Sequence, residues 1–261
     1  MRYACIVKYD GTEYAGFQIQ KNAKTIQEEI EKALFEVTKS NLKINYSGRT
    51  DAGVHALSQI IDFETDIQRD KKNWLNGINS NLPLSIAVKD IFEVPQDFNS
   101  RFSAIERSYA YVIYNSKDKP LFFNSFSYWI SNNIDLDKMT QQMKMLEGKH
   151  DFTSFRSVNC NAKNPIKKIS NLKIQRINKF IILSFTANAF LQNMVRIMAG
   201  TLIDISVKNV DLSVNDIIKK RDRTFAGKTA PAKGLFFLGP RYKYDFNSKT
   251  FESDLLNIFG A

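Results

Sequence analysis

The chain is poor in the residues that staple or metal-stitch a fold. Its 261 residues include two cysteines, Cys5 and Cys160, too few for a disulfide framework and in keeping with a reducing compartment. Two histidines, His55 and His150, leave a Cys/His zinc site little to work with, so no metal is expected. The opening residues, MRYACIVKYD, hold no long apolar core of the kind a signal peptide needs, and none is expected. The longest apolar stretch, Phe180 to Ile205, is interrupted by Asn188, Gln192, Asn193 and Arg196, which argues against a membrane span. A soluble, cytoplasmic protein is expected. There is no internal repeat, and no Lys/Arg-Gly-Phe/Tyr run of the kind RNA-recognition motifs display on their sheets.

What is present is core-forming material and an uneven charge. Hydrophobic residues make up 43% of the chain, with 20 Phe and 10 Tyr, which excludes disorder as the overall state. Basic side chains number 37 against 27 acidic ones, a net +10. Residues 1–104 hold 13 basic and 14 acidic groups; residues 105–261 hold 24 and 13. A total surplus by itself fits mere solubility, but a surplus confined to one half has the form of a polyanion footprint. Two runs concentrate it. Residues 156–179 carry seven basic and no acidic side chains, among them Lys163, Lys167 and Lys168. Residues 219–243 carry eight and one, among them Lys219, Lys220, Arg221 and Arg223. These are the candidate contacts for the phosphates of a polyanion such as a nucleic acid, although any one lysine is equally an ordinary solvated surface group.

Hydrophobic periodicity predicts an α+β fold. Strands are read at Ala4–Lys8, Leu42–Tyr46, Gln59–Phe63 and Ile86–Phe92, and helices after Thr25 and over Lys71–Asn79. Thr25-Ile26-Gln27-Glu28 has the spacing of a capping box. The order β-α-β-β-α-β is that of a ferredoxin-like unit. Beyond residue 105 the theme recurs. A strand is read at Ser108–Tyr114, a helical face at Leu136, Met139, Met143 and Leu146, and a hairpin at Ile169–Ile177 and Phe180–Phe185 turning at Asn178-Lys179. Leu191, Met194, Val195, Met198, Leu202 and Ile205 fall on one helix. Two halves, 1–104 and 105–261, are expected. With no Pro-, Gly- or Ser-rich linker between them, they are expected to share one extended, mainly antiparallel sheet.

Three places offer chemistry. Ser47-Gly48-Arg49-Thr50-Asp51-Ala52-Gly53-Val54-His55-Ala56 sets one carboxylate between glycines, with a base and a histidine nearby. It also reads as a plain turn in which Asp51 bonds its own backbone. Arg196 sits in the most hydrophobic predicted helix, where a guanidinium needs either an anionic partner, Asp51 being one, or a route to solvent. Tyr109 lies on a strand, where a tyrosine can stack on a base or simply pack across the sheet.

The Ser47–Ala56 motif resembles the signature of the tRNA pseudouridine synthase A (TruA) family. So do Tyr9-Asp10-Gly11-Thr12, Gly16-Phe17-Gln18-Ile19-Gln20, Arg101-Phe102-Ser103-Ala104 and Arg107-Ser108-Tyr109-Ala110-Tyr111. His150-Asp151-Phe152-Thr153-Ser154-Phe155, Phe190-Leu191-Gln192-Asn193-Met194-Val195-Arg196 and Ala230-Pro231-Ala232-Lys233-Gly234-Leu235 continue it collinearly along nearly the whole chain. Ser100, Ser206 and Pro240 depart from the family pattern, where Ala, Gly and an apolar residue are usual. The resemblance implies a homodimer that isomerises uridine to pseudouridine at positions 38, 39 and 40 of the tRNA anticodon stem-loop, without cofactor or metal. It implies Asp51 as nucleophile, Tyr109 stacked on the target uracil, Arg196 as the ion-pair partner of Asp51, and Arg49 displacing or holding the flipped nucleotide. Attack at the uracil ring and attack at the ribose C1′ both remain open. The other readings are a non-catalytic RNA-binding protein with two RRM-like halves, and a carboxylate hydrolase. The hydrolase would need a paired acid and base, whereas the signature loop has one carboxylate.

Overall fold

The computed structural model describes residues 1–207, 212–243 and 251–260. The chain forms two compact units. One comprises Met1–Ile105 with Phe236–Ile258, the other Glu106–Leu235 with Phe259–Ala261. Both are α+β, and strand pairing within each is mainly antiparallel.

In the first unit the order is β1 (Arg2–Tyr9), α1 (Ile26–Thr38), β2 (Asn45–Tyr46), β3 (His55–Glu64), α2 (Lys71–Ser80) and β4 (Ile86–Val94). Strand β1 runs antiparallel to both β3 and β4. Flanked on both edges, it is buried along most of its length, and its near-continuous apolar run (Ala4 to Val7) follows from that. The short β2 pairs with β3 through Asn45↔Asp62 and Tyr46↔Ile61. Helix α1 buries Ile26, Ile30, Ala33, Leu34 and Val37, the face the periodicity predicts. Tyr3, Phe63 and Trp74 meet with ring centroids 5.4–5.9 Å apart and seat α2 on the sheet.

Helix α1 does not begin with the capping box its sequence suggests. Thr25 holds the N-cap backbone position, but its side chain makes no cap bond. Its hydroxyl is buried without a partner. The free N–H groups of the first turn are satisfied from elsewhere: Ile26 N–H donates to the Gly16 carbonyl at 3.2 Å and Gln27 N–H to that of Phe17 at 2.9 Å. A neighbouring loop thus does part of the work of a side-chain cap.

The second unit contains β5 (Glu106–Asn115), β6 (Tyr128–Ile130), α3 (Leu136–Lys144), β7 (Gly148–Asp151), β8 (Ile166–Ile177), β9 (Phe180–Ala187), α4 (Met194–Val207) and α5 (Val214–Lys220). β9 lies antiparallel between β5 and β8, β7 closes the outer edge on β8, and β6 joins β5 in parallel. The β8–β9 turn is Asn178-Lys179, with Asn178 at φ 52°. Helix α4 starts at Met194, so Leu191 lies just ahead of it. Here a capping box does form, between Ser213 and Asp216 at the start of α5. That pairing holds the Asp216 carboxyl below the usual carboxylate range.

Where one cut near residue 105 is expected, the chain crosses back. β10 (Leu235–Arg241) aligns in parallel with β3, Phe236 opposite His55 and Phe237 opposite Ala56, so that Phe236–Ile258 belong to the first unit. After it comes α6 (Phe251–Ile258), whose Asp254 accepts from Lys8 at 2.8 Å and Lys89 at 3.2 Å on that unit. No described helix is long and apolar enough to cross a membrane.

Candidate active site

Asp51 sits in the first unit, half-buried, at the head of a tight turn. Val54 N–H donates to the Asp51 carbonyl at 3.2 Å, and Gly53 carries φ 75° as the third residue of that turn. The turn reading of the sequence is therefore correct for the backbone. It does not exclude a role for the side chain, because an unusual amount of structure is spent on fixing this turn.

Three supports hold it. The first is the loop after β1. Phe17 N–H donates to the Thr50 carbonyl at 3.1 Å, Gly53 N–H to the Tyr14 carbonyl at 3.4 Å, and the Tyr9 hydroxyl meets the Thr50 hydroxyl at 2.7 Å. Gly16 makes this approach possible. Its φ is 106°, and a Cβ there would stand 2.9 Å from the Thr50 carbonyl oxygen and 3.3 Å from the Asp51 carbonyl carbon. The second support is Gln59, fully buried on β3. Its Oε1 accepts from the Ser47 hydroxyl at 2.6 Å and the Gly48 N–H at 3.2 Å, while its Nε2 donates to the Gly48 carbonyl. A side-chain amide thus replaces the missing ladder partner of Gly48. The third is His55, buried, whose Nδ1 accepts from Gly11 N–H at 3.2 Å and whose ring stacks on Phe236 at 4.8 Å. Two sequence motifs separated by some thirty residues, Tyr9–Gln20 and Ser47–Ala56, are one piece of structure. Arg49 projects from it, exposed.

Sequence reasoning passed over Gln59 and Tyr14. The signal for Gln59 was legible: a glutamine inside the apolar run Gln59-Ile60-Ile61 is a buried amide that must find partners.

Tyr109 and Arg196 both lie in the second unit. Tyr109 stands on β5 opposite Phe185 of β9, half-buried, its ring edge-on to Phe190 at 5.1 Å. Arg196 falls in the first turn of α4 rather than in its middle, and is partly buried. Its Nε donates to the Ala230 carbonyl at 2.8 Å and its Nη1 to the Asn193 carboxamide oxygen at 2.9 Å. Two of three nitrogens thus fix the plane of the guanidinium. The segment 228–230 comes this close to the helix only because residue 200 is glycine: a Cβ there would fall 1.8 Å from the Lys228 carbonyl oxygen. Nearby Tyr111 is buried, which raises its hydroxyl pKa well above the usual value, and its OH donates to the Pro231 carbonyl at 2.8 Å.

The basic candidates divide by what they hold. Lys163, Lys168, Lys219 and Lys220 are exposed. Lys167, half-buried, donates to the Asn164 carbonyl, and as Lys168's neighbour on β8 it points to the opposite face. Arg221 pairs with Asp151 at 3.3 Å. Arg223, half-buried, spans the Ala226 carbonyl and the Thr229 hydroxyl and so ties down its own loop. Among the described residues, no group of three or more His, Cys, Asp or Glu could hold a metal ion.

A family model described as tRNA pseudouridine synthase matches residues 5–103 and 143–243. The chain belongs to the tRNA pseudouridine synthase family. Curated relatives agree over nearly the full length. The tRNA pseudouridine synthase A of Buchnera aphidicola subsp. Schizaphis graminum is 40% identical over 255 residues, 98% of this chain and 97% of the relative. That of Francisella philomiragia is 38% identical over 252 residues, covering 96% and 98%. That of Legionella pneumophila strain Lens is 40% identical over 247 residues, covering 94% of each. Pseudouridine synthases are isomerases, and this chain is one by membership. Of the three candidate site residues, Asp51 lies in the first stretch matched to the synthase model and Arg196 in the second. Tyr109 falls in the interval between them.

Proposed function

We propose that this synthase isomerises uridines at positions 38, 39 and 40 of the tRNA anticodon stem-loop, with Asp51 as nucleophile. The observation that carries the reading is the triple support of the Asp51 turn by Tyr9–Phe17, Gln59 and His55. A carboxylate that must meet a reacting atom repeatedly has to be held on a rigid frame, since small misplacements cost large factors in rate. Covalent attack by that carboxylate, at the uracil ring or at C1′, splits one difficult isomerisation into two easier steps. In this reading the base is detached at N1 and rejoined through C5.

The remaining assignments belong to the same reading. The target nucleotide is turned out of the RNA stack at a cost of a few kcal/mol, and stacking on Tyr109 returns roughly 1–3 kcal/mol of it. Arg49, on the same loop as Asp51, occupies or steadies the vacated position. Arg196, its plane already fixed by Ala230 and Asn193, serves as the ion-pair partner of Asp51. The first half carries the nucleophile and the second the stacking tyrosine, the arginine and most of the grip on phosphate. The enzyme works as a homodimer in the cytoplasm and uses no cofactor.

The test is Asp51→Ala. Tritium release from C5-labelled uridine in tRNA is expected to fall by roughly 10⁴-fold or more, as when a nucleophile is removed. Filter binding of the same tRNA should stay within a few-fold of wild type. Substantial release by the variant would overturn the nucleophile assignment.

A further inference from the structure

A second surface of the synthase, on the β5–β6 and β8–β9 connections, has the chemistry of a base-binding slot. It is a depression of about 350 Å³ lined by Tyr114, Lys119, Leu121, Phe122, Lys179 and Phe180, among others. That size lies at the lower end of small-ligand pockets and suits one flat heteroaromatic group better than a peptide segment. Its floor is rigid. Phe123, Phe180 and Phe259 pack ring against ring at 4.8–5.8 Å, and Tyr114 leans on Phe180 at 5.1 Å. Its walls are not buried: Leu121 is 84% exposed and Phe122 91%. The loop bearing them is pinned beyond the walls, by the Ser127 hydroxyl on the Phe123 carbonyl at 2.8 Å and by Lys233 on Asn124 at 2.9 Å. Two adjacent, fixed, exposed apolar side chains are costly in water unless something covers them.

The rim identifies the occupant. Lys119 lies over the Trp129 ring at 5.5 Å and Lys179 over the Tyr114 ring at 6.0 Å. The acidic Asp118 stands 4.0 Å from Lys179 and is almost fully in solvent. A two-fold contact between copies of this chain would set such a patch against itself and bring its lysines together. A polyanion that also carries flat rings satisfies both walls and rim. We propose that this slot takes one unpaired nucleobase of the tRNA substrate, stacked on Phe122 and Leu121, with the flanking phosphates on Lys119 and Lys179. The proposal rests on tRNA being the substrate. Tyr114 stands five positions beyond Tyr109 on β5, about 16 Å along the strand, so the slot is a second contact on the same RNA and not the reacting centre. Its segment from Tyr114 to Phe123 falls between the two stretches matched to the synthase model, and Lys179 and Phe180 fall within the second.

The test uses the full-length enzyme. In Leu121→Ala/Phe122→Ala both side chains start exposed, so folding should be kept, which a thermal melt verifies. The tRNA dissociation constant should rise by roughly 5- to 150-fold, the worth of one base stack, with kcat at saturating tRNA unchanged. Phe122→Trp should bind within about threefold of wild type, and its introduced indole should be quenched as tRNA is titrated. If wild type itself fails to bind tRNA, the substrate reading falls and the slot with it. If wild type binds and the double variant binds equally well, with no quenching in Phe122→Trp, the slot alone is overturned. A double variant that changes sedimentation mass while keeping wild-type tRNA affinity would make this face a protein contact and would equally overturn it.

Discussion

The two units differ in how their polar groups are used. In the first, basic and acidic side chains nearly cancel. The returning segment 236–258 adds three of each sign and leaves the balance at −1. Several of its polar groups are turned inward and paired: Gln59 on Gly48, Tyr9 on Thr50, His55 on Gly11, and Asp62, fully buried, on Arg2, Asn45 and the Ser100 N–H. The second unit carries net +11. Many of its cations stand on the surface; of those that bond, Arg223 and Lys167 hold nearby carbonyls and a hydroxyl, while Arg221 pairs with Asp151 and Arg196 reaches the Ala230 carbonyl. One unit spends polar chemistry on rigidity and the other on charge facing solvent. That division is what an enzyme needs if it must hold a nucleophile still and also recognise a large polyanion, since long-range attraction tolerates mobile side chains and covalent chemistry does not.

The widest separation between the two should come from removing charge. Lys163→Ala/Lys168→Ala/Lys219→Ala/Lys220→Ala changes only exposed groups of the second unit. The tRNA dissociation constant should rise by roughly 10²-fold near physiological salt, and the slope of log K against log[salt] should flatten by about 0.7–0.9 per lost phosphate contact. The kcat at saturating tRNA should hold. An unchanged salt slope would break the comparison, because it would mean that these lysines face solvent and nothing else. Gly16→Ala tests the other unit and should do the reverse. The added Cβ meets the Thr50 carbonyl at 2.9 Å in a backbone conformation that costs about 1–2 kcal/mol outside glycine. The Asp51 turn must move, so kcat should drop at least about tenfold while tRNA affinity changes little. Loss of affinity with kcat retained would place the Asp51 turn in the RNA grip instead.

Much of this architecture was legible in the residues. The burial of Ile26, Ile30, Ala33, Leu34 and Val37 on α1, and the Asn178-Lys179 hairpin, follow from period and turn chemistry alone. Two things were not. Thr25-Ile26-Gln27-Glu28 and Ser213-Val214-Asn215-Asp216 carry the same capping pattern, yet only the second forms; at the first helix start the N–H groups of Ile26 and Gln27 bond instead to the carbonyls of Gly16 and Phe17. A local pattern cannot report a tertiary competitor. The return of β10 to β3 is the same kind of fact: the apolar start of this strand, Leu235 to Leu238, names no partner by sequence, and its partner is set by long-range register. At the site, Asp51, Tyr109 and Arg196 were found through motif resemblance. Gln59 and Tyr14 act through backbone groups of other residues, and so leave no motif of their own.

The smallest effect we expect also probes the inward-turned polar network. Ser100 is fully buried beside Asp62, and its hydroxyl has no hydrogen-bond partner, while its backbone N–H donates to the Asp62 carboxylate at 2.7 Å. The bond that matters to Asp62 is therefore independent of the side chain. Removing the hydroxyl relieves a buried, unsatisfied polar atom, at a gain of about 1 kcal/mol, and leaves only a void smaller than a water. Ser100→Ala should raise the melting temperature by roughly 2–4 °C for a chain of this size, with isomerisation unchanged. A lower melting temperature would mean that the Ser100 hydroxyl takes part in holding Asp62 and Arg2. The first unit would then depend on its side-chain network even more completely than its hydrogen bonds already indicate.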